Sequence, residues 1–403
     1  MKTYLNLLKT RGVARIMAAQ LVARFPNGML SLAFLLHIQQ IAGSYFAAGL
    51  VLAATSLGQA IAGPLTSRWM GIWGMRRVLV LTLTVCAAAI GTIALAPALP
   101  IGLYMAIGFV SGLSTPPIQP AVRTIYPKMV NSRQLTPLFS LDASAQEVIW
   151  VLGPVITTFI AFQVSTVLAI LLALAFLVGG GIWFISSPEV GRVRIPRSKR
   201  NLGAVLKKPA VLLATTTGFL LVGSFAALEA GVVSAFGGGG SEAGIVLGLF
   251  AVGSLIGGLA LGHIPIGPWA LARRLFAIFV GISLAAASLN FWWLAVTLLI
   301  AGVGIAPALA VMFAIVSASV RFSETAEAYG WVGTGQLIGA AIGSAVAGFM
   351  IDSFNAPGAF WVAAALAGIG FLIPTIFHRA HPDLRGRDAS PIPDTEPIAT
   401  HPG

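Results

Sequence analysis

The chain has 403 residues, of which 57% are hydrophobic and only 9% charged, and its mean hydropathy is +0.93. That composition excludes an ordinary soluble domain and points to a protein that crosses a membrane many times. Its formal charge of +12 comes from 24 Lys and Arg against 12 Asp and Glu, spread over short loops rather than gathered on one soluble face. This argues against nucleic-acid binding and for contact with anionic lipid headgroups. Cys86 is the only cysteine, which excludes an intrachain disulfide and Cys-based metal sites. No metal or other cofactor is expected.

About 20 apolar residues cross a bilayer. Twelve such spans are predicted, at 16–39, 45–66, 78–97, 100–122, 137–162, 166–186, 210–235, 243–262, 273–290, 292–319, 328–351 and 356–377. The first reads as a retained signal-anchor helix. Every Lys and Arg except Arg24 falls at a terminus or in every second gap between spans. The positive-inside rule then puts both termini and the basic loops on the cytoplasmic side of a cell inner membrane.

Within the first span, Arg24 lies nine residues past Arg15, roughly 13 Å deeper at about 1.5 Å per residue. Phe25-Pro26-Asn27-Gly28 breaks the helix just beyond it and frees carbonyls to line a cavity, with Asn27 at the break. A charge at such depth needs a partner or a cavity. Glu147 in the fifth span is the expected partner, and direct contact of Arg24 with a polar or anionic solute is the other reading. Asp142 and Glu147 are five residues apart and point in different directions on a helix. Asp142 is nearer the basic loops, within reach of Arg68 or Arg123, while Glu147 is the better candidate for carrying a proton. His37 and Glu229 stand at similar levels of the first and seventh spans, either as a pH-sensitive gate or each in its own local hydrogen bonds. Gln119, Gln146 and Gln336 are polar groups on apolar helices, suited to interhelical hydrogen bonds or to a solute. Ser114-Thr-Pro116-Pro117 and Pro307 are expected to distort spans four and ten.

Residues 188–209 form a basic linker dividing the chain into residues 1–187 and 210–380, and the Pro-rich stretch 381–403 is expected to be a disordered tail. The run Phe236–Glu242 is an outer linker. An internal repeat supports the division. Gly49, Gly58 and Gly63 match Gly244, Gly253 and Gly258 at an offset of 195, and Gln146 and Gly153 match Gln336 and Gly343 at an offset of 190. Parallel halves of this kind suit a transporter that rocks about a midplane site.

The loop after the second span reads Gly63-Pro-Leu-Thr-Ser67-Arg68-Trp-Met-Gly71-Ile-Trp-Gly74-Met-Arg76-Arg77. It resembles the cytoplasmic signature of the major facilitator superfamily, and the resemblance covers all twelve spans. In that family an acid and basic residues of this loop latch the cytoplasmic side. Here Ser67 holds the acid's place, and Asp142 is expected to supply the missing charge. Gly153-Pro154 resembles the core of the signature of proton-coupled exporters. The look is closest to efflux-type members from high-GC Gram-positive bacteria. The resemblance implies an all-α fold of two pseudo-symmetric six-helix bundles and a monomer working by alternating access. Proton-coupled export of a small amphipathic solute or drug, in antiport, is the leading expectation, and proton-coupled uptake of a nutrient the alternative. An enzyme or a non-transporting sensor has little support, since the chain has no His-Glu-x-x-His, no Gly-x-Ser-x-Gly and no large soluble insert.

Overall fold

The computed structural model describes residues 2–96, 99–198, 200–236, 241–386 and 389–394. Helix α1 (Lys2–Lys9) lies ahead of the first crossing, which is α2 (Val13–Arg24), a 3₁₀ turn over Phe25–Gly28, and α3 (Leu30–Ala42). Proline at 26 removes a donor, which accounts for the break where it was expected. The next crossings are α4 (Tyr45–Trp73) and α5 (Met75–Leu95). The fourth is split into α6 (Ile101–Leu113) and α7 (Ile118–Ile125) by Pro116 and Pro117, and α8 (Ser132–Gln163) and α9 (Thr166–Ser186) complete the first bundle. A one-turn helix α10 (Pro188–Arg192) opens the linker.

The second bundle holds α11 (Pro209–Ala235), α12 (Ser241–Leu261), α13 (Ala270–Ala285), the pair α14 (Phe291–Gly302) and α15 (Ile305–Ser319), α16 (Phe322–Phe354) and α17 (Ala356–Ile376). The tenth crossing breaks at Gly302–Gly304, just before Pro307. Eleven stretches among the described residues are long and apolar enough to cross a membrane. The twelfth crossing is α13, whose 16 residues span about 24 Å. The fold is therefore twelve transmembrane segments in two six-helix bundles. The glycine run 237–240 of the expected outer linker lies outside the described residues.

The bundles meet along two related seams, α4 against α16 and α8 against α12, with α15 packed on α8 and α7 on α16. At the first seam Gly63 and Gly330 face each other so closely that a Cβ on either would lie 2.9 or 2.4 Å from the other's carbonyl oxygen. At the second, the Ser140 hydroxyl donates to the Gly258 carbonyl at 2.7 Å. These two crossings are equivalent: the repeat offsets of 195 and 190 carry the pair Gly63–Gly330 onto Gly258–Ser140. Both lie toward the end of the molecule that carries the basic loops, called here the basic face.

Of the tail, residues 381–386 and 389–394 are described. Ile392 pairs with the α15–α16 connection, accepting from Phe322 N (3.0 Å) and donating to Val320 O (2.9 Å). Asp394 accepts from the Ser323 backbone N–H (3.1 Å) and hydroxyl, where a carboxylate complements the first turn of α16. Leu384 and Ala389 are buried, and Leu384 N donates to Ile266 O (2.9 Å). A Pro-rich segment docks here through two buried apolar side chains, Leu384 and Ala389, the backbone pairing of Ile392 and the Asp394 cap.

Candidate functional site

One face of α2 and one face of α8 bring charge into the apolar interior. Gln20 and Arg24 are four residues apart on α2, and Asp142 and Gln146 are four apart on α8, so each pair projects from one side of its helix. Arg24 lies 3.4 Å from the Asp142 carboxylate, hydrogen-bonds Gln20 Oε1 at 2.7 Å and also bonds Gln146 Oε1. Gln20 in turn donates to Asp142 at 3.0 Å. From α7, Arg123 Nε reaches Asp142 Oδ2 at 3.2 Å, and just past α7 the Tyr126 hydroxyl donates at 3.2 Å to Oδ1, the oxygen that Gln20 and Arg24 also face. Gln119, with its amide oxygen turned to the guanidinium, accepts from both terminal nitrogens of Arg123 (2.7 and 2.5 Å). Gln20, Arg24, Arg123 and Asp142 are all buried. Two guanidiniums thus share one carboxylate, which leaves one unbalanced positive charge in a low-dielectric interior.

Aromatic side chains close the space beside this network. The Arg123 guanidinium lies 3.3 Å over the ring of Phe313 on α15, a cation–π contact between the bundles. Phe139 packs on Phe313 and on Tyr329 at centroid distances of 6.4 and 6.5 Å, and Tyr126 packs on Phe139 at 6.0 Å. Nearer the basic loops, Arg68 of α4 pairs with Glu327 of α16 at 3.1 Å. Glu327 also accepts from Gly203 N in the linker at 2.8 Å. Lys208 and Arg200 of the linker pair with Glu324 at 2.8 and 3.3 Å. The Thr334 hydroxyl donates to Ala60 O at 2.7 Å across the same seam. The basic face is sealed by a plug of rings, a glycine crossing and a charged clasp.

A sequence model of the Major Facilitator Superfamily matches residues 16–289 and 224–400. The chain belongs to the Major Facilitator Superfamily. As a member of that family it is a secondary transporter of small solutes, not an enzyme. No curated protein sequence matches it. Among solved structures it is similar to a human organic anion transporter (TM-score 0.70, 15% identity, covering 90% of this chain and 99% of that one). It is also similar to a bacterial homologue of the iron transporter ferroportin in an outward-facing state (TM-score 0.73, 13% identity, 92% and 100% covered). A third is the E. coli fucose:proton symporter (TM-score 0.70, 14% identity, 90% and 98% covered). At these identities the likeness is one of fold.

Within this superfamily fold, several residues stand elsewhere than the sequence predicts. Arg24 pairs with Asp142 rather than Glu147, because Glu147 lies on the α8 face that also carries Ser140 and Ser144 and is turned toward α12. There the polar group opposite it is Ser254, and no cation pairs with Glu147 among the described residues. Asp142 does not engage Arg68; the acid of the clasp is Glu327. Ser67 is buried and its hydroxyl has no partner among the described residues. His37 is held locally by Thr166 Oγ1 and Ile93 O, both at 3.0 Å, and makes no gate with Glu229, which is exposed on α11. Asn27 is exposed at the helix break, and Gln336 packs against α11 near Gly218. Gly71 packs on the linker at Pro196, Arg76 bonds the carbonyls of Ile185 and Ser187 (3.2 and 3.4 Å), and Arg77 is exposed. Gln20, Tyr126, Phe139, Phe313 and Tyr329 escaped sequence reasoning, although Gln20 stands one helical turn before Arg24. No group of three or more His, Cys, Asp or Glu able to hold a metal occurs among the described residues.

Proposed function

We propose that the protein alternates between two openings, that its basic face is cytoplasmic in the cell inner membrane, and that the structure is the conformer closed on that face. The observation that carries this reading is the concentration of inter-bundle contacts at the basic end: Arg68–Glu327, Gly63–Gly330 and Ser140–Gly258. Residues 1–187 and 210–380 are then the moving bundles of a monomer, with residues 188–209 as the tether. The similarity to an outward-facing ferroportin homologue supports the same reading.

Protons are the driving ion in this account and Glu147 is their carrier. Its carboxyl has no cation partner among the described residues and lies on the face of α8 turned to Ser254 of the opposite bundle, where opening of the seam would expose it to water. Arg24, Gln146, Gln119, Gln336, Asn27 and Glu229 form the solute pathway. Gly63, Arg68, Gly71, Arg76 and Arg77 with Glu327 form the clasp. The solute is a small amphipathic molecule, and the unbalanced charge of the Arg24–Asp142–Arg123 group favours an anionic one. Export in exchange for protons is the proposed direction, supported by the Gly153-Pro154 pair of α8.

The test is flux in liposomes holding the purified protein, under an imposed pH gradient, with anionic, neutral and cationic amphiphiles supplied separately. Acid outside should drive anionic amphiphile outward relative to the basic face, with protons moving the other way. Solute movement without proton movement would reject the coupling. Equal rates for all three charge classes would reject the anion preference.

A further inference from the structure

The corner between α1 and α2, where it meets the end of α9, holds a cavity of about 380 Å³. Lys9, Arg11, Arg15 and Arg192 line it, with Glu189 the single acid. Arg15 is already bonded to Glu189, which is buried. Lys9, Arg11 and Arg192 are exposed and make no ion pair among the described residues. The lining therefore carries a net charge of +3, four cations against one carboxylate. Gly12 makes the corner possible. Its φ is +85°, and a Cβ there would lie 2.2 Å from a Glu189 oxygen, so Glu189 can press against the turn and hold the basic side chains around the space.

We propose that this corner is a binding site for a phosphate-type oxyanion, either the headgroup of an anionic phospholipid or free phosphate. Several convergent donors of one sign around a cavity of this size suit such a group. The surroundings suit a lipid. Ile182 and Trp183 are 55% and 44% exposed on the last turns of α9, immediately before Pro188 and Glu189 of the cavity wall, where acyl chains would run beside the helix. Leu5 of α1 is also exposed, 55%, while Tyr4 and Leu7 of the same short helix are buried and Leu8 lines the cavity. The occupant would tie α1 to the end of α9 and to α10, beside Arg76, while Tyr4 of α1 donates to Gly258 O at the α8–α12 seam (2.9 Å).

The experiment is a thermal-unfolding titration of the full chain in detergent with short-chain phosphatidylglycerol, short-chain phosphatidylcholine and sodium phosphate. Phosphatidylglycerol should raise the melting temperature saturably, and phosphatidylcholine should not. The triple variant Lys9→Gln, Arg11→Gln, Arg192→Gln should need roughly 100-fold more phosphatidylglycerol for the same shift. Should that variant fail to fold, Arg192→Gln alone should need roughly fivefold more. The linker variant Arg194→Gln, Arg197→Gln, which removes two charges outside the cavity, should titrate like the parent. A saturable shift from sodium phosphate that abolishes further response to the lipid would assign the same site to the free anion. The proposal is overturned if phosphatidylcholine stabilises equally, if the triple variant titrates like the parent, or if the linker variant loses the response to the same degree.

Discussion

Asp142 is the counter-charge for two buried guanidiniums, and its removal would leave both without one. Replacing it with Asn keeps the shape and deletes the charge, a change that costs about 3–5 kcal/mol at a buried ion pair. Asp142→Asn should therefore lower the thermal unfolding temperature in detergent clearly, and adding Arg123→Met should recover part of the loss; an unchanged melting temperature would contradict the shared-carboxylate geometry. Glu147 should behave in the opposite way. Glu147→Gln should leave stability nearly unaltered, keep solute counterflow and abolish proton-driven accumulation in liposomes. The depth of Arg24 was legible in the sequence, but its partner was not. Choosing between Asp142 and Glu147 requires the rotation of α8 about its axis, which is set by packing: Ser140 and Ser144 turn Glu147 toward α12, leaving Asp142 and Gln146 for α2.

At the scale of elements, proline and glycine placed the breaks in the first, fourth and tenth crossings where the sequence predicts them, because those effects are local to the backbone. The docking of the tail depends on long-range contacts with Ile266, Val320 and Ser323, and a Pro-rich composition conceals them. His381 at its root is buried, and that burial holds its imidazole below the usual value of 6.5, against the opposing hydrogen bonds to the Pro382 carbonyl and its own. A histidine held low binds its proton more readily once undocked. Docking should therefore be strongest above pH 6.5 and weaken as pH falls below it. Limited proteolysis of residues 381–394 between pH 5 and 8 should show faster cleavage at the acid end, and His381→Gln should flatten the profile. Asp383, which Arg385 pulls down to about 2, stays ionised throughout that range and does not contribute to it.

For the whole molecule, the repeat accounts for the equivalence of the two seams, and that much of the architecture was legible from Gly63, Gly258, Gln146 and Gln336 alone. The charged clasp escapes the symmetry. At the repeat offsets Arg68 maps onto His263 and Glu327 onto Pro137, so among the described residues only the α4–α16 seam is fastened by an ion pair. That asymmetry makes Arg68–Glu327 the contact whose loss should release the basic face first. An ion pair of this partly exposed kind is worth about 1 kcal/mol or less, enough to shift a balanced two-state equilibrium several-fold without unfolding either bundle. Distances between spin labels on a Cys86→Ala background test the alternation most directly, with one pair at Ile72 and Ile264 on the basic face and a second at Phe46 and Trp292 on the opposite face. Two populations are predicted at each pair, the short distance on one face accompanying the long distance on the other, with Glu327→Gln moving both pairs toward an open basic face. A single distance at each pair, unmoved by Glu327→Gln and by solute, would contradict the account.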